Sequence, residues 1–173
     1  IINSTKINSF VFSSSSTVYG VPDKIPVKET ASIKPAFSPY GYTKQVGERI
    51  LNDFFKSLPS SSLTLLRYFN PIGAHPSGLI GELPIGVPSN LVPYITQTAI
   101  GKRKKLTVFG KDYDTPDGTC IRDYIHVVDL ANAHVSALEK GLKSKDSIKT
   151  LNVGTGKGAS VLDVITAFEK VSK

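Results

Sequence analysis

A tyrosine and a lysine four residues apart, Tyr40 and Lys44, are the side chains of this sequence best suited to chemistry. Residues at i and i+4 share one face of a helix, so the ammonium is expected to lie close to the phenol. A free phenol titrates at about 10 and is a weak base at neutral pH, but a neighbouring cation favours the phenolate. The pair therefore predicts a base that takes a proton from an alcohol such as a sugar hydroxyl.

The residues around this pair predict a helix. Ser38 and Pro39 suit an N-cap followed by the first helical position. Apolar residues then recur with the spacing of one buried stripe, at Ile50, Leu51, Phe54 and Phe55.

Upstream, a short apolar run at 10–12 leads into four serines at 13–16. This pattern predicts a buried parallel strand whose carboxyl end carries polar side chains. Ligands of open α/β sheets bind at that end of the strands. A serine there is placed to hold the same oxygen that the tyrosine deprotonates.

Strand and helix patterns alternate along the rest of the chain, which predicts an α/β fold. Further strands are predicted at 63–69, 106–110, 122–128 and 150–153, helices at 91–100 and 129–142, and loops at 23–38, 75–90 and 111–119. Asp129 is the predicted cap of the helix over 129–142, whose buried stripe is expected at Leu130, Ala133, His134, Ala137 and Leu138.

Long stretches of this chain resemble the UDP-glucose (UDP-galactose) 4-epimerases of the extended short-chain dehydrogenase/reductase superfamily. These stretches are residues 13–20 with 38–44, residues 66–78 and residues 118–131, and the matches together run from about Asn8 to the end. The resemblance implies a Rossmann-like doubly wound parallel sheet with a smaller substrate-binding lobe. It also implies NAD as cofactor and the interconversion of UDP-galactose and UDP-glucose by oxidation and re-reduction at C4, as part of galactose metabolism.

The resemblance assigns roles to individual residues. It makes Ser15, Tyr40 and Lys44 catalytic and also NAD-binding, and it places Phe69 beside the nicotinamide. For the UDP-sugar it implies contacts from Asn70, Asn90, Leu91, Thr107, Phe109 and Arg122. Ser16 stands where the epimerases usually have alanine, so which of Ser15 and Ser16 faces the substrate is left open.

Some of these residues also have plain structural interpretations. Asn70 precedes Pro71 and would suit a turn. Thr107 and Phe109 alternate on a predicted strand and would suit core packing. Arg122 is well suited to a diphosphate, because a guanidinium binds phosphate through two hydrogen bonds, but an ion pair with Asp123 is the alternative.

The glycine turn at 154–158 is not the turn expected to hold a pyrophosphate. Its spacing is G-x-G-x-G, whereas a dinucleotide site uses G-x-G-x-x-G with an acidic residue about 20 positions further on. It is predicted as a strand-to-helix turn in which Ser160 caps the helix and Asp163 is its reciprocal partner.

No dinucleotide turn precedes Ser13 either, so the sequence is interpreted as a fragment in which the first half of the NAD-binding fold is missing. Similarity to fungal sequences suggests a parent protein fused to a C-terminal aldose mutarotase domain. The predicted organisation is a partial NAD-binding domain at 1–74, a substrate-binding lobe at 75–121, and a segment at 122–173 that returns to the NAD-binding domain and interleaves with the lobe.

Composition excludes several other classes of function. The net charge of +7 comes from dispersed residues apart from a run at 102–105, and no nucleic-acid motif accompanies it. The single cysteine, Cys120, and three separated histidines predict neither a disulfide nor a metal site. The sequence contains no run of about 18 apolar residues, so no membrane span is predicted. A cytoplasmic enzyme is expected, with a homodimer as an option for the full-length protein.

Three other functions compete with epimerisation. A 4,6-dehydratase is disfavoured because its relatives carry an Asp-Glu pair after the strand-end threonine, where this chain has Val18 and Tyr19 after Thr17. A nucleotide-sugar decarboxylase of the same superfamily is the first alternative retained. The second is an inactive truncated chain that acts as a binding or interaction module.

Overall fold

The computed structural model describes residues 7–58, 60–144 and 147–172, which form two compact units. The first unit holds the described residues of Ile1–Phe69 and Asp129–Gly154, and the second those of Asn70–Val128 and Thr155–Lys173. The predicted segment 122–173 is thus divided, because 122–128 and 155–172 belong with 75–121 and only 129–154 returns to the first unit. Residues 1–6 and Lys173 of the predicted terminal segments lie outside the described residues.

Six strands and four α-helices are formed by the described residues. The strands are β1 (Ser9–Ser15), β2 (Ser62–Tyr68), β3 (Asn70–Ile72), β4 (Ile121–His126), β5 (Ser147–Val153) and β6 (Gly158–Ser160). The helices are α1 (Pro39–Lys56), α2 (Leu91–Ala99), α3 (Val127–Lys143) and α4 (Val161–Val171), and a short 3₁₀ helix, Ser16–Tyr19, follows β1.

The sheet of the first unit is parallel, with the strand order β1-β2-β5. Its central strand β2 is buried at every position from Ser62 to Arg67, as expected for a strand paired on both edges and covered on both faces. This confirms the predicted strands at 10–12, 63–69 and 150–153. The outer edge of β1 pairs with no strand among the described residues.

Helix α1 covers one face of this sheet. The register sets Phe10 beside Leu63 and Phe12 beside Leu65, which aligns four apolar side chains on one face. Phe55 of α1 packs on the two leucines, with Leu51 and Phe54 around it. Ile50 was predicted in this stripe but is 62% exposed. The buried face of α1 runs through Glu48, Leu51 and Phe55 in steps of three and four residues, which turns Ile50 outward.

Helix α3 lies against the opposite face. A Cβ on Gly141 would come 2.2 Å from Ser9 Oγ and 2.7 Å from Ser62 Oγ, so this close approach requires glycine. Ser13 also forms a hydrogen bond with His134 of α3, at 2.8 Å. With helices on both faces, the predicted doubly wound α/β fold is confirmed.

The start of α3 differs from the prediction. The helix begins at Val127, so Asp129 lies in its first turn and is not the cap. The His126 ring accepts the Val128 N–H through Nδ1, at 3.2 Å, and takes that role. Asp129 still suits its position, because a carboxylate near a helix N-terminus is favoured by the helix dipole.

The sheet of the second unit has the order β3-β4-β6, with β3 parallel and β6 antiparallel to β4. Ser160 and Asp163 form the predicted reciprocal cap of α4: Ser160 Oγ accepts from Asp163 N at 3.0 Å, and Asp163 Oδ2 accepts from Ser160 N at 2.9 Å. The strand predicted at 106–110 is wrong, because this segment forms no strand. Its side chains do alternate, but a strand also needs a partner to complete its ladder.

A buried ion pair joins α1 to the centre of the first unit's sheet. Glu48 is 3% exposed and Arg67 of β2 is 5% exposed. Arg67 Nε donates to Glu48 Oε1 at 2.9 Å and Nη2 donates to Oε2 at 2.6 Å, so the contact has the paired geometry of a guanidinium and a carboxylate. The Ser14 hydroxyl donates to Oε1 at 2.5 Å. Burial disfavours the charged guanidinium, but its hydrogen bonds to Glu48 and Tyr19 outweigh this and raise the pKa of Arg67.

Replacing Glu48 with leucine is expected to lower the free energy of unfolding by about 3–5 kcal/mol, because the Arg67 charge would remain buried without its partner. Urea denaturation followed by circular dichroism measures the change. The control is Asp53→Asn on the same helix, which removes an exposed ion pair with Lys56 and should change the free energy by under about 1 kcal/mol. Equal losses in the two variants would contradict this prediction.

No helix among the described residues is long and apolar enough to cross a membrane.

Candidate active site

Ser15 is the last residue of β1 and the N-cap of the 3₁₀ helix that follows. Its side chain is buried, and its Oγ accepts hydrogen bonds from Thr17 N at 3.2 Å and from Thr17 Oγ1 at 3.0 Å. Thr17 therefore orients the Ser15 hydroxyl through two hydrogen bonds. Ser16 is half-buried and begins the 3₁₀ helix. The hydroxyl of Ser15 is thus held in one orientation at the carboxyl end of the sheet.

Tyr40 and Lys44 lie on the first two turns of α1, which Ser38 caps by accepting the Gly41 N–H at 3.1 Å. Lys44 Nζ is 5.5 Å from the centroid of the Tyr40 ring and donates to the Ser13 carbonyl at 2.9 Å. The Tyr40 side chain is half-exposed, at 51%. The spacing of the two residues thus places an ammonium beside an accessible phenol, as the sequence predicts.

The first turns of α1 pack directly on the 3₁₀ helix after Ser15. A Cβ on Gly41 would lie 3.2 Å from the Thr17 carbonyl oxygen, which is a tight approach. Gln45 Nε2 donates to the carbonyls of Val18, at 2.8 Å, and Lys34, at 2.7 Å, which ties the helix to both neighbouring segments. The sequence assigned no role to Gln45. These contacts bring the turn of Tyr40 and the turn of Ser15 together.

Tyr68 is a second phenol near this group. Burial and the nearby charge of Tyr40 raise the pKa of Tyr68, against a hydrogen bond with Ser13 that lowers it. Tyr68 therefore stays protonated at neutral pH, and Tyr40 is the more accessible of the two phenols. The register pairs Ser15 with Tyr68, which puts the half-buried Phe69 just beyond the carboxyl end of β2. Phe69 N donates to the Val153 carbonyl at 3.1 Å.

His134 supports this edge of the sheet from α3. A carbonyl only accepts, so the 2.9 Å contact to the Leu130 oxygen places the ring proton on Nδ1 in the neutral imidazole. Nε2 is then the acceptor of the Ser13 hydroxyl, at 2.8 Å. Both ring nitrogens are engaged within the fold, which matches the structural role expected for this histidine. Among the described residues, no cluster of three or more His, Cys, Asp or Glu side chains could hold a metal ion.

The second unit contains a cleft of about 390 Å³ that brings together three of the predicted substrate-binding residues, Asn70, Asn90 and Leu91. Its other walls include Glu82 and Tyr124, which the sequence analysis did not single out. Asn90 is the N-cap residue of α2, but its side chain makes no cap bond and instead donates to Glu82 Oε1 at 3.0 Å.

Thr107, Phe109 and Arg122 do not line this cleft. Thr107 is exposed and Phe109 is 84% exposed, so the core packing weighed for both is wrong. The Arg122 guanidinium is exposed and donates to the Ile121 carbonyl at 2.9 Å. Their contact with a substrate stays a prediction, since the structure does not bring them to Asn70 and Asn90.

Asp123, the alternative partner of Arg122, binds the glycine turn instead. Its Oδ1 accepts from Thr155 N at 2.9 Å and from Thr155 Oγ1 at 2.7 Å, and its Oδ2 accepts from Gly156 N at 2.9 Å. The donors of this turn are therefore used within the chain, which agrees with its interpretation as a strand-to-helix turn.

The first unit has a doubly wound parallel sheet with a buried serine at its carboxyl end, and the adjoining helix α1 carries a Tyr-x-x-x-Lys pair. These features define an α/β protein of the class that binds nucleotide cofactors. The chain belongs to the NAD dependent epimerase/dehydratase family, whose model matches residues 1–154.

Individual relatives agree with this family. The chain is 56% identical over 164 residues to a UDP-glucose 4-epimerase of Pasteurella multocida, a match that covers 95% of this chain and 48% of that protein. It is also 56% identical, over 166 residues, to a UDP-glucose 4-epimerase of Bacillus subtilis, covering 96% and 48%. The chain therefore spans about half the length of these curated relatives.

The chain is also similar to a solved structure, both in sequence and in fold. That structure is the UDP-glucose 4-epimerase from Bifidobacterium longum in complex with NAD+ and UDP, which is 48% identical and matches with a TM-score of 0.92. The match covers 99% of this chain and 50% of that one.

Proposed function

We propose that the complete gene product containing this chain interconverts UDP-galactose and UDP-glucose with NAD as its cofactor. The observation that carries the proposal is the Lys44 ammonium beside the accessible Tyr40 ring, at the carboxyl end of β1 where Ser15 is buried. The relatives named above, which are UDP-glucose 4-epimerases, support the choice of substrate.

The described residues fit a nicotinamide cofactor. An ammonium has three N–H donors, and Lys44 directs one of them to Ser13, which leaves donors suited to ribose hydroxyls. Tyr40, Ser15 and the half-buried Phe69 are the other residues that would hold the cofactor. The chemistry that NAD supplies when bound is the removal of hydride from C4 and its return to the other face of the 4-keto sugar.

The side chains of the first unit handle the proton. Tyr40, as the phenolate, takes the proton of the sugar 4-hydroxyl and later returns it to the C4 oxygen of the product. Lys44 stabilises that phenolate because its positive charge lies beside the ring. The Ser15 hydroxyl, oriented by Thr17, hydrogen-bonds the same oxygen in both directions of the reaction.

The cleft of the second unit is proposed to hold the nucleotide part of the substrate. Its volume of about 390 Å³ lies in the range of small-molecule sites. Asn70 and Asn90 present amide groups, and the first turn of α2, from Leu91, presents backbone N–H groups that suit a phosphate. Thr107, Phe109 and Arg122 are retained as proposed contacts, with Arg122 directed at the diphosphate.

The proposal extends to a cytoplasmic homodimer. The single cysteine agrees with a reducing compartment. Val46 and Ile50 are exposed apolar residues four positions apart on α1, and they offer a face to a second copy.

Incubating the complete gene product with UDP-galactose tests the reaction. UDP-glucose is the expected product, and the mixture should reach the same equilibrium from either sugar. Chromatography of the nucleotide sugars with mass spectrometry measures it. A 4-keto-6-deoxy product would instead identify a dehydratase, and loss of carbon dioxide from a UDP-uronic acid would identify the decarboxylase; either result would sink the proposal.

A further inference from the structure

One buried carboxylate connects the three elements that carry the candidate catalytic and cofactor-binding residues. Glu48 lies one helical turn after Lys44 on α1. Its carboxylate accepts from Ser14, the neighbour of Ser15, and from Arg67 of β2, which precedes Tyr68 and Phe69 in the chain. The Glu48 carboxylate, which belongs to α1, therefore links this helix to β1, which ends at Ser15, and to β2, which leads to Phe69.

The cluster of Ser14, Glu48 and Arg67 is buried and closely hydrogen-bonded. Ser14 is 0% exposed, and the Glu48 carboxylate accepts hydrogen bonds from both of the other side chains. Arg67 also lies over the Tyr19 ring, with its guanidinium carbon 4.7 Å from the centroid, and the Tyr19 hydroxyl donates to Asn152 Oδ1 at 2.6 Å. Since a buried charge is strongly penalised without its partners, the helix has little freedom to slide along the sheet while the cluster is intact.

Apolar packing alone would hold α1 less specifically. The contacts of Phe55 with Leu63 and Leu65 lie two helical turns beyond Glu48, on the side away from Tyr40. Hydrophobic contacts are also non-directional, so they resist separation better than small shifts. Near Tyr40, Gln45 ties α1 to the turn that follows β1 through the Val18 carbonyl. The directional contacts of α1 with the sheet itself are those of Lys44 with Ser13 and of Glu48 with Ser14 and Arg67.

We propose that Glu48 is a positioning residue for the reaction: its bonds to Ser14 and Arg67 set the register of the Tyr40–Lys44 helix against Ser15. The inference rests on the proposed epimerase function for its activity readout. Glu48 itself does not touch substrate. Because a misplacement of about 1 Å can cost ~10²-fold in rate, loss of the register acts mainly on kcat.

The decisive variant removes the polar cluster without leaving a buried charge. In the complete gene product, Ser14→Ala, Glu48→Leu and Arg67→Met together replace all three groups with apolar side chains, an exchange that often leaves stability unchanged or raised. We expect a melting temperature close to that of the unsubstituted protein, a kcat lower by ~10–100-fold and a KM changed by under about threefold. A folded triple variant with unchanged kcat would overturn the proposal.

A second variant keeps the proposal testable if the triple variant does not fold. Glu48→Asp retains the charge but shortens the reach by one methylene, so the carboxylate can meet its partners only if the helix moves. We expect kcat to fall in this variant too, with faster hydrogen–deuterium exchange in residues 13–19 and 39–45. Unchanged kcat together with unchanged exchange would also overturn the proposal. Asp53→Asn on the same helix is the matched control, and both readouts should stay at the level of the unsubstituted protein.

The two proposals fail in distinguishable ways. If the unsubstituted gene product does not interconvert the UDP-sugars, the proposed function fails, and the exchange measurement still decides whether Glu48 orders the two segments. If the unsubstituted protein is active and the triple variant equally so, only the positioning role fails.

Discussion

Tyr40→Phe in the complete gene product is expected to lower kcat for UDP-galactose by about 10²–10⁴-fold, because the variant keeps the ring but loses the general base. The ammonium of Lys44 would still lie beside the ring, so the fold and the cofactor contacts of α1 should persist. A coupled assay that detects UDP-glucose measures the rate. The matched control is Tyr42→Phe, which removes a phenol hydroxyl from a 62% exposed residue two positions along the same helix.

The control should retain the activity of the unsubstituted protein. If Tyr40→Phe turned over at that rate as well, Tyr40 would not be the base, and Tyr68 would become the phenol to examine. Its raised pKa makes Tyr68 the poorer candidate at neutral pH.

Residues 1–173 produced alone are expected to bind no NAD and to convert no UDP-galactose. The sequence contains no G-x-G-x-x-G turn with a following acidic residue, which is the part of a dinucleotide site that receives the pyrophosphate. The parallel sheet of the described residues has three strands, and the outer edge of β1 is unpaired, so self-association is also expected. Isothermal titration with NAD and the epimerase assay measure the two activities.

The complete gene product is the positive control for both measurements. Full activity of the 173-residue chain would contradict the inference that part of the cofactor site lies outside it. Binding of a UDP-sugar without NAD binding would instead favour the second unit as an independent binding module.

Local signals in the sequence predicted the helix of the candidate base well. Ser38 and Pro39 determine where α1 begins, and the spacing of Tyr40 and Lys44 then determines which face they share. The reciprocal cap of α4 by Ser160 and Asp163 was found for the same reason. In each case the interacting residues are at most four positions apart, so the backbone periodicity alone relates them.

Interactions between distant residues escaped prediction. Glu48 and Arg67 are 19 positions apart, and each alone resembles an ordinary surface charge, so no local pattern indicates that they are buried together. The prediction for Ile50 was wrong for a related reason. The buried stripe of α1 includes the charged residue Glu48, so the apolar residues alone do not mark the buried face. The strand at 106–110 failed because alternation reports which side chains turn inward but not whether a partner strand is present.

The candidate substrate residues also show that contacts between distant segments are not predictable from local pattern. Asn70, Asn90 and Leu91 come from two segments 20 residues apart, and only the resemblance to epimerases connected them before the fold brought them to one cleft. Glu82 and Tyr124 belong to the same cleft, and no motif pointed to them.

The contact between Asp123 and the turn at Thr155 and Gly156 has a consequence for anion binding by this chain. Successive backbone N–H groups in such a turn form a concave nest that attracts negative charge. Here a carboxylate of the chain already occupies that nest as a resident anion, and it joins β4 to the segment before α4. A phosphate arriving from solvent would have to displace this carboxylate, which is tethered at the turn and competes as an intramolecular ligand. The turn thus works as an internal anion receptor that fastens two parts of one unit together.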